Sequence, residues 1–206
     1  MGIRVNGGLS DKTVMIAAAG CDAGRCLADA CAQAGARVVV LEQTASRARA
    51  VARAWPDRIE TLGLNALRPD HCDRLGAVWD ATPLDLLLHL QPLRMPRRPG
   101  AAISAIPALS RALLPGLAAG AGRVIAVFRA PGPGARAEGL AYDAAMCALA
   151  GHMQEEFGNR AMVNALRLAP EGAECSCGAR LWPAVAMLTA GERAGPCGSV
   201  LHLGPE

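Results

Sequence analysis

The sequence predicts one α/β domain: a parallel sheet of seven strands covered by helices on both faces, that is, a doubly wound three-layer sandwich. Two observations predict it. Short apolar runs alternate with stretches of helical periodicity along the whole chain, and such alternation favours a parallel sheet whose crossovers are helices. The 206 residues, 52% of them hydrophobic, fit a single domain with a sizeable core.

Seven apolar runs are predicted as strands, and the fourth is apolar enough to be buried on both faces. They are Thr13–Ala18, Arg37–Leu41, Ile59–Leu64, Leu84–Leu90, Arg123–Phe128, Met162–Leu168 and Ser199–Leu203. The segments between them carry apolar residues at i, i+3, i+4 and i+7, which is typical of helices. The predicted helices are one around Leu27, Ser46–Trp55, Pro69–Trp79, Ile103–Ala119 (broken or bent near Pro107 and Pro115), Gly139–Phe157 and Ala179–Ala190.

Charge and hydropathy exclude several classes of function. The net charge is only +3, and the basic residues are scattered except at Arg94, Arg97 and Arg98, so we expect no nucleic-acid binding. The sequence contains neither an apolar stretch of membrane-spanning length nor a charged leader followed by an apolar run. These features predict a cytoplasmic protein that does not bind membranes.

Most of the eight cysteines lie in predicted helices, among them Cys26, Cys31 and Cys147. This placement indicates reduced thiols rather than a disulfide framework. Cys175 and Cys177 form a close pair in a predicted loop, without a second pair at metal-binding spacing. We interpret them as surface thiols, and a metal or redox role stays an alternative.

Several segments together resemble one family over nearly the whole chain. They are Gly24–Ala28, Ala34–Val40, Arg111–Pro115, Gly122–Val127, Val163–Ala165 and Ala169–Gly172. In this order they resemble the first helix, second strand, central helix, fifth strand and the region after strand six of short-chain dehydrogenases/reductases. The resemblance implies a Rossmann-like fold formed by a single domain, residues 1–206.

The glycine-rich cofactor loop of that family is mostly lost. Aligned with Thr-Gly-x-x-x-Gly-x-Gly, the segment Ala17–Gly24 keeps only its last glycine, and Asp22 replaces the middle one. We expect Asp22 to cap the following helix. Its carboxylate would repel a dinucleotide phosphate about 4 Å away by roughly 4 kcal/mol at an effective dielectric constant of 20.

Three further residues stand at positions where a cofactor contact or acid–base chemistry can be considered. Glu42 follows the second strand, where an acidic group can accept hydrogen bonds from the ribose of NAD; it is the one weak cofactor-binding candidate. Asn65 stands where the family has an adenine-contacting Asp. His89 ends a leucine-rich strand, and we interpret it as a hydrogen-bonded core histidine rather than an acid or base.

The family's catalytic set is incomplete. Tyr142, the only tyrosine, aligns with the proton donor, but the lysine four residues later is Met146 and the serine position falls on Arg129. Without the lysine, the phenol has no group to lower its pKa from about 10. We therefore interpret Tyr142 as a vestige of the catalytic set. It belongs to an apolar stripe on the predicted helix, which is typical of packing, together with Met146, Leu149, Ala150, Met153 and Phe157.

The resemblance also implies how the chain associates. Apolar residues on helices and strands that form the family's oligomer contacts are retained: Leu109, Leu113, Leu117, Leu149, Met153, Trp182, Met187, Val200 and Leu201. The substrate-covering segment after strand six, about 170–179, is predicted to be shortened. Together these features predict an inactive subunit that forms a hetero-oligomer with an active paralogue, and the resemblance implies that this assembly is a tetramer.

Such a chain resembles the degenerate partner in mixed assemblies of the hydroxybenzylsuccinyl-CoA dehydrogenase type. It would bind no cofactor itself, and NAD would be held by the partner subunit. Two alternatives stay open from the sequence. One is an NAD(H)-dependent oxidoreductase with an atypical site that uses Tyr142 and Arg129, and the other is a module that binds a CoA ester or another metabolite, with Arg129 and Arg136 facing an anionic ligand.

Overall fold

The computed structural model describes residues 8–170, 177–190 and 195–204, apart from the side chains of residues 177–179. Within them the strands are β1 (Thr13–Ala17), β2 (Arg37–Leu41), β3 (Ile59–Leu62), β4 (Leu86–His89), β5 (Arg123–Arg129), β6 (Met162–Leu168) and β7 (Ser199–Leu203). The helices are α1 (Asp22–Gln33), α2 (Ala45–Ala52), α3 (Pro69–Trp79), α4 (Gln91–Arg94), α5 (Pro99–Ala112), α6 (Leu114–Ala119), α7 (Ala137–Phe157) and α8 (Cys177–Thr189).

All seven strands pair in parallel, in the order β3-β2-β1-β4-β5-β6-β7. The chain starts at β1, runs outward to β3, and then returns to the other side of β1 at β4. Between β1 and β4 the direction of winding reverses, and in open α/β sheets ligands bind outside the carboxyl ends of the strands at such a point. The predicted fold class, a doubly wound seven-stranded α/β sandwich, is confirmed.

Two apolar layers hold the sheet between its helices. Residues of α1, α2 and α8 pack on one face, and residues of α3, α5, α6 and α7 pack on the other. The central strands are buried on both faces; Ile16, Leu88 and Ile125 have no exposed area. Each such side chain contributes about 1.5–3 kcal/mol through burial.

One predicted helix is divided in the structure. The segment Ile103–Ala119, predicted as a long helix broken or bent near Pro107 and Pro115, forms α5 and α6, which meet at Leu113. Pro115 lacks the backbone N–H that would continue the ladder, and it occupies the first turn of α6. Pro107 is accommodated inside α5. The short helix α4 was not predicted.

Four of the residues predicted to face another chain lie in the core instead. Leu109, Leu113 and Leu117 have no exposed area, and Met153 is 2% exposed, because all four pack beneath α5, α6 and α7 against the sheet. They offer no surface to a partner, so that part of the interface prediction is wrong. The remaining predicted residues, Leu149, Trp182, Met187, Val200 and Leu201, are partly or largely exposed.

Two predictions fall mainly outside the described residues. The shortened segment of about 170–179 is described only at Pro170 and from the backbone of Cys177 onward, so its role stays a prediction. Cys175 and the side chain of Cys177 are likewise outside. In the part of the chain that the structure covers, no helix is long and apolar enough to cross a bilayer.

Candidate functional site

The loop after β1 lies at the crevice between β1 and β4. Ala18, which aligns with the first glycine of the family loop, has a φ of 61°. This left-handed conformation costs a non-glycine residue about 1 kcal/mol or more. At Gly24 a Cβ atom would lie 2.2 Å from the carbonyl oxygen of Ala19, so only glycine lets α1 pack this closely. The loop therefore combines a left-handed residue at Ala18 with a close backbone contact at Gly24.

Asp22 does not cap α1, contrary to the prediction. Cys21 is the N-cap residue and no side chain caps the helix, because Asp22 is already its first residue. The Asp22 side chain is 87% exposed and forms an ion pair with Arg25 one turn along. This neighbouring guanidinium and the solvent weaken the repulsion that Asp22 would exert on a phosphate.

Glu42 is turned inward and engaged with its own chain. Its side chain is 2% exposed. One carboxylate oxygen, Oε2, accepts a hydrogen bond from the backbone N–H of Gly20 at 3.0 Å, and Oε1 accepts one from Thr44 at 3.4 Å. A Cβ at position 20 would lie 2.4 Å from Oε2. In this conformation Glu42 does not present a carboxylate to a ribose; it ties the end of β2 to the loop after β1.

Arg94 neutralises this buried carboxylate, a role that the sequence did not reveal. Its Nε atom lies 3.6 Å from Glu42 Oε2, and its side chain is 19% exposed. This Nε has no hydrogen-bond partner among the described residues, so its positive charge is balanced by the ion pair alone. We refer to Gly20, Glu42 and Arg94 as the Glu42 latch.

Behind the latch little space is left. A cavity of about 10 Å³ lies between the ends of β1 and β2, the segment after β3 and α4. Its lining consists of Ala18, Leu41, Glu42, Gln43, Leu64, Asn65, Ala66, Leu67, Gln91 and Met95. This is about the size that holds one water molecule. A planar base, which is several times larger, does not fit there without movement of these side chains.

Arg129 lines a larger cleft at the carboxyl end of β5. Together with Cys21 and Asp22 it borders a space of about 190 Å³, closed on the other side by Pro92, Leu93 and Pro96. Its Nη1 donates a hydrogen bond to the carbonyl oxygen of Ala169 at 2.9 Å. Tyr142 does not line this cleft. This cleft by itself therefore does not bring Arg129 and Tyr142 together. Arg136 is the exposed N-cap residue of α7.

Tyr142 and Met146 lie on the inner side of α7. Met146 has no exposed area and belongs to the core. Tyr142 is partly exposed, but its hydroxyl oxygen is buried and has no hydrogen-bond partner among the described residues. Burial raises the pKa of Tyr142 to about 12. At neutral pH such a phenol is a poor acid and a poorer base. The predicted packing role of Met146, Ala150, Met153 and Phe157 is confirmed.

His89 is the core histidine that the sequence predicts. It ends β4 without exposed area. Its Nε2 lies 2.8 Å from the hydroxyl of Ser110 and its Nδ1 lies 3.2 Å from the side chain of Gln91. Burial lowers its pKa to about 4, so the ring is neutral at physiological pH. Both ring nitrogens are occupied by internal partners, which leaves none for a substrate.

The chemistry available to these residues is limited. Across residues 8–170, 177–190 and 195–204, no three His, Cys, Asp or Glu side chains are grouped so that they could hold a metal ion. The cysteine nearest the crevice, Cys21, has a raised pKa because it is largely buried, which disfavours the nucleophilic thiolate. As they stand, Glu42 and the residues around the 10 Å³ cavity leave no room there for the base of a dinucleotide.

Removing the Tyr142 hydroxyl should cost almost nothing. Because the buried oxygen has no described partner, we expect Tyr142→Phe to change the free energy of unfolding by less than about 0.5 kcal/mol, or to stabilise the chain slightly. Tyr142→Ala, which also removes the ring, should cost about 3 kcal/mol. Urea denaturation of the two variants measures both changes. A loss above about 1.5 kcal/mol for the phenylalanine variant would indicate a hydrogen bond that the structure lacks.

The same residue predicts a pH effect. The folded phenol ionises near pH 12 and the unfolded one near pH 10, so the unfolded state loses its proton first. Stability contributed by Tyr142 is complete below about pH 10 and is lost as the pH rises toward 12. Since Tyr142 is the only tyrosine, ultraviolet titration of the folded chain reports its pKa directly. A midpoint near 10 would contradict the buried hydroxyl.

The fold is a doubly wound α/β domain with a crevice where the winding of the sheet reverses. No protein-family model and no curated protein sequence matches the chain. Solved structures match the chain in fold. One is described as a short chain dehydrogenase from Escherichia coli CFT073 (TM-score 0.78, 20% identity, covering 96% of this chain and 97% of the other). Another is a short-chain dehydrogenase/reductase, glucose/ribitol dehydrogenase, from Brucella melitensis (TM-score 0.77, 16% identity, covering 95% and 96%).

These likenesses extend over nearly the whole of each chain, so the described part of the chain has the same fold as these short-chain dehydrogenases. At 16–20% identity they concern the fold alone and carry no assignment of activity, because one fold hosts many functions. The function of the chain has to be argued from the crevice and the surface.

Proposed function

We propose that this chain is a non-catalytic member of the short-chain dehydrogenase/reductase family that associates with an active paralogue. In the assembly it would stabilise or shape the site of that partner, and NAD would be bound by the partner alone. The observation that carries the proposal is the Glu42 latch, in which a buried carboxylate takes a backbone N–H of the loop where the family binds its dinucleotide.

The residues of the former catalytic set support the same proposal. A productive tyrosine needs a nearby cation to lower its pKa. Here the lysine position is the fully buried Met146, and the pKa of Tyr142 is raised rather than lowered. A buried methionine at the lysine position packs in the core but cannot lower the pKa of Tyr142. A subunit whose role is to contact a partner, and not to catalyse, would tolerate this substitution.

The surface supports association less specifically. Met187 on α8 is 56% exposed, and the edge strand β7 has partly exposed Val200 and Leu201. Trp182 and Leu149 are also partly exposed. These five residues are the part of the predicted interface that remains exposed, and exposed apolar side chains can favour protein contacts. Trp182 and Leu201 lie on one face of the sheet, and Leu149 and Val200 lie on the other.

A native assembly tests the proposal. The tagged 21.2 kDa chain would be purified at its natural expression level, and native mass spectrometry would give the composition of the complex. We expect a second subunit that carries the complete Ser–Tyr–Lys set, and lower activity of that subunit when this chain is removed. A stable homotetramer that binds NAD would contradict the proposal.

A pair of surface variants adds a control to this test. Met187→Glu places a charge in the proposed contact and should dissociate the assembly. Val78→Glu changes an even more exposed apolar residue, 84% exposed on α3, outside the predicted contact. It should leave the mass unchanged. Equal effects of the two variants would count against the proposed surface.

Two other functions remain, each with one observation in its favour. An atypical NAD(H)-dependent oxidoreductase is favoured by the retained Tyr142 and the overall fold. It requires the Glu42 latch to open. A metabolite-binding module, for example for a CoA ester, is favoured by the 190 Å³ cleft bordered by Arg129. Calorimetric titration with NADH and with acyl-CoAs separates these two functions from a purely structural role.

A further inference from the structure

A second cleft lies beside the latch, on the loop between α4 and α5. It encloses about 450 Å³ and is open to solvent. Three of its six lining residues are arginines and none is acidic. The lining consists of Gln43, Arg94, Met95, Pro96, Arg97 and Arg98. These arginines are the only local concentration of basic residues that stands out in the sequence.

The charges in this cleft are unevenly compensated. Arg94 is paired with the buried Glu42, so this pair is close to neutral. Arg97 and Arg98 are exposed, and neither has an ion pair or side-chain hydrogen bond to another residue of the described ranges. Their guanidinium groups leave a local charge of about +2 that no described side chain balances.

We propose that this cleft binds the phosphate group of a small phosphomonoester. Such a group carries about −1.5 to −2 charges near neutral pH and three acceptor oxygens. It therefore matches two guanidinium forks, each able to donate two parallel hydrogen bonds. The apolar surfaces of Met95 and Pro96 and the amide of Gln43 would contact the organic part of the ligand.

A polymeric partner matches the cleft less well. The three arginines lie within five consecutive residues, at the end of α4 and in the loop after it, and the whole chain carries a net charge of only +3. A nucleic acid needs a basic surface that follows its backbone over several phosphates. A compact anion needs only one cluster of basic side chains. The inference is independent of the proposed association with an active subunit, since a free chain would also bind the phosphate.

Titration of the full-length chain with ribose 5-phosphate tests the inference, with ribose as the ligand that lacks the phosphate. We expect calorimetry to detect ribose 5-phosphate and not ribose, inorganic phosphate to compete, and added salt to weaken binding. In Arg97→Gln/Arg98→Gln, Kd should rise at least about tenfold, since two charge-assisted contacts are lost.

Arg49→Gln/Arg53→Gln is the matched control. It removes the same charge from two exposed arginines on or next to α2 that do not line the cleft. It should bind like the wild type. Both pairs are on the surface, so melting curves should agree and exclude misfolding. Absence of ribose 5-phosphate binding, equal binding of ribose, or equal weakening in both double variants would overturn the inference.

Discussion

Glu42→Ala should lower the free energy of unfolding by about 2–4 kcal/mol. Removal of the carboxylate leaves the Arg94 guanidinium partly buried without its counter-charge and the Gly20 N–H without an acceptor. Breaking a buried ion pair by deleting one partner costs about 3–5 kcal/mol. The exposed 19% of the Arg94 side chain reduces this, because water reaches part of the charge.

For a domain of this size the loss corresponds to roughly 5–15 °C in Tm. The matched control is Glu60→Ala on the neighbouring strand β3. Its carboxylate lies 2.8 Å from Arg37, but both side chains are about 60% exposed, and such pairs contribute only about 0–1 kcal/mol. Thermal and urea denaturation of both variants measure the contrast. If Glu42→Ala were as stable as Glu60→Ala, the latch would have no structural role.

Met146→Lys is the second variant with a large expected effect. It restores the residue that the family has one turn after its tyrosine, yet Met146 has no exposed area. A lysine there must bury its ammonium group or deprotonate, so we expect a loss of about 4 kcal/mol or more. Met146→Leu, which conserves volume and polarity, should cost less than about 1.5 kcal/mol.

The loss should also depend on pH. Burial disfavours the ammonium form, so the pKa of the new lysine falls below that of the unfolded chain. The unfolded state then binds more protons, and the variant gains stability as the pH rises toward 10. Denaturation at pH 6 and pH 9 measures this slope. A variant as stable as wild type that also oxidises NADH would contradict the core role of position 146.

The fold was largely predictable from sequence because local patterns set it. The bounds of the strands Arg37–Leu41 and Met162–Leu168 and of the helix Pro69–Trp79 agree with the prediction. Each combines an unbroken periodicity with a clear start or stop residue, such as Pro69 at the first helical position. The segment Ile103–Ala119 contains two prolines, and the sequence did not show which of them interrupts the helix. In the structure Pro107 lies inside α5, whereas Pro115 lies in the first turn of α6.

The candidate site was less predictable because it depends on contacts between distant segments. The pair of Glu42 and Arg94 joins the end of β2 to α4, and no spacing rule connects them. The predicted N-cap of α1, Asp22, was wrong by one residue, because the helix begins at Asp22 and its N-cap is Cys21. The prediction of interface residues on α5 and α6 was wrong for another reason. α5 and α6 are apolar on more than one side, so composition alone could not tell core residues such as Leu109 from surface ones.

We predict that the chain by itself does not bind a nicotinamide dinucleotide, since the ligand would have to displace Glu42 from Gly20 and widen a cavity of about 10 Å³. Isothermal titration of the purified chain with NADH measures this most directly. We expect no saturable heat, that is, a Kd weaker than about 1 mM. A micromolar Kd that Glu42→Ala abolishes would contradict the account and identify Glu42 as a cofactor residue.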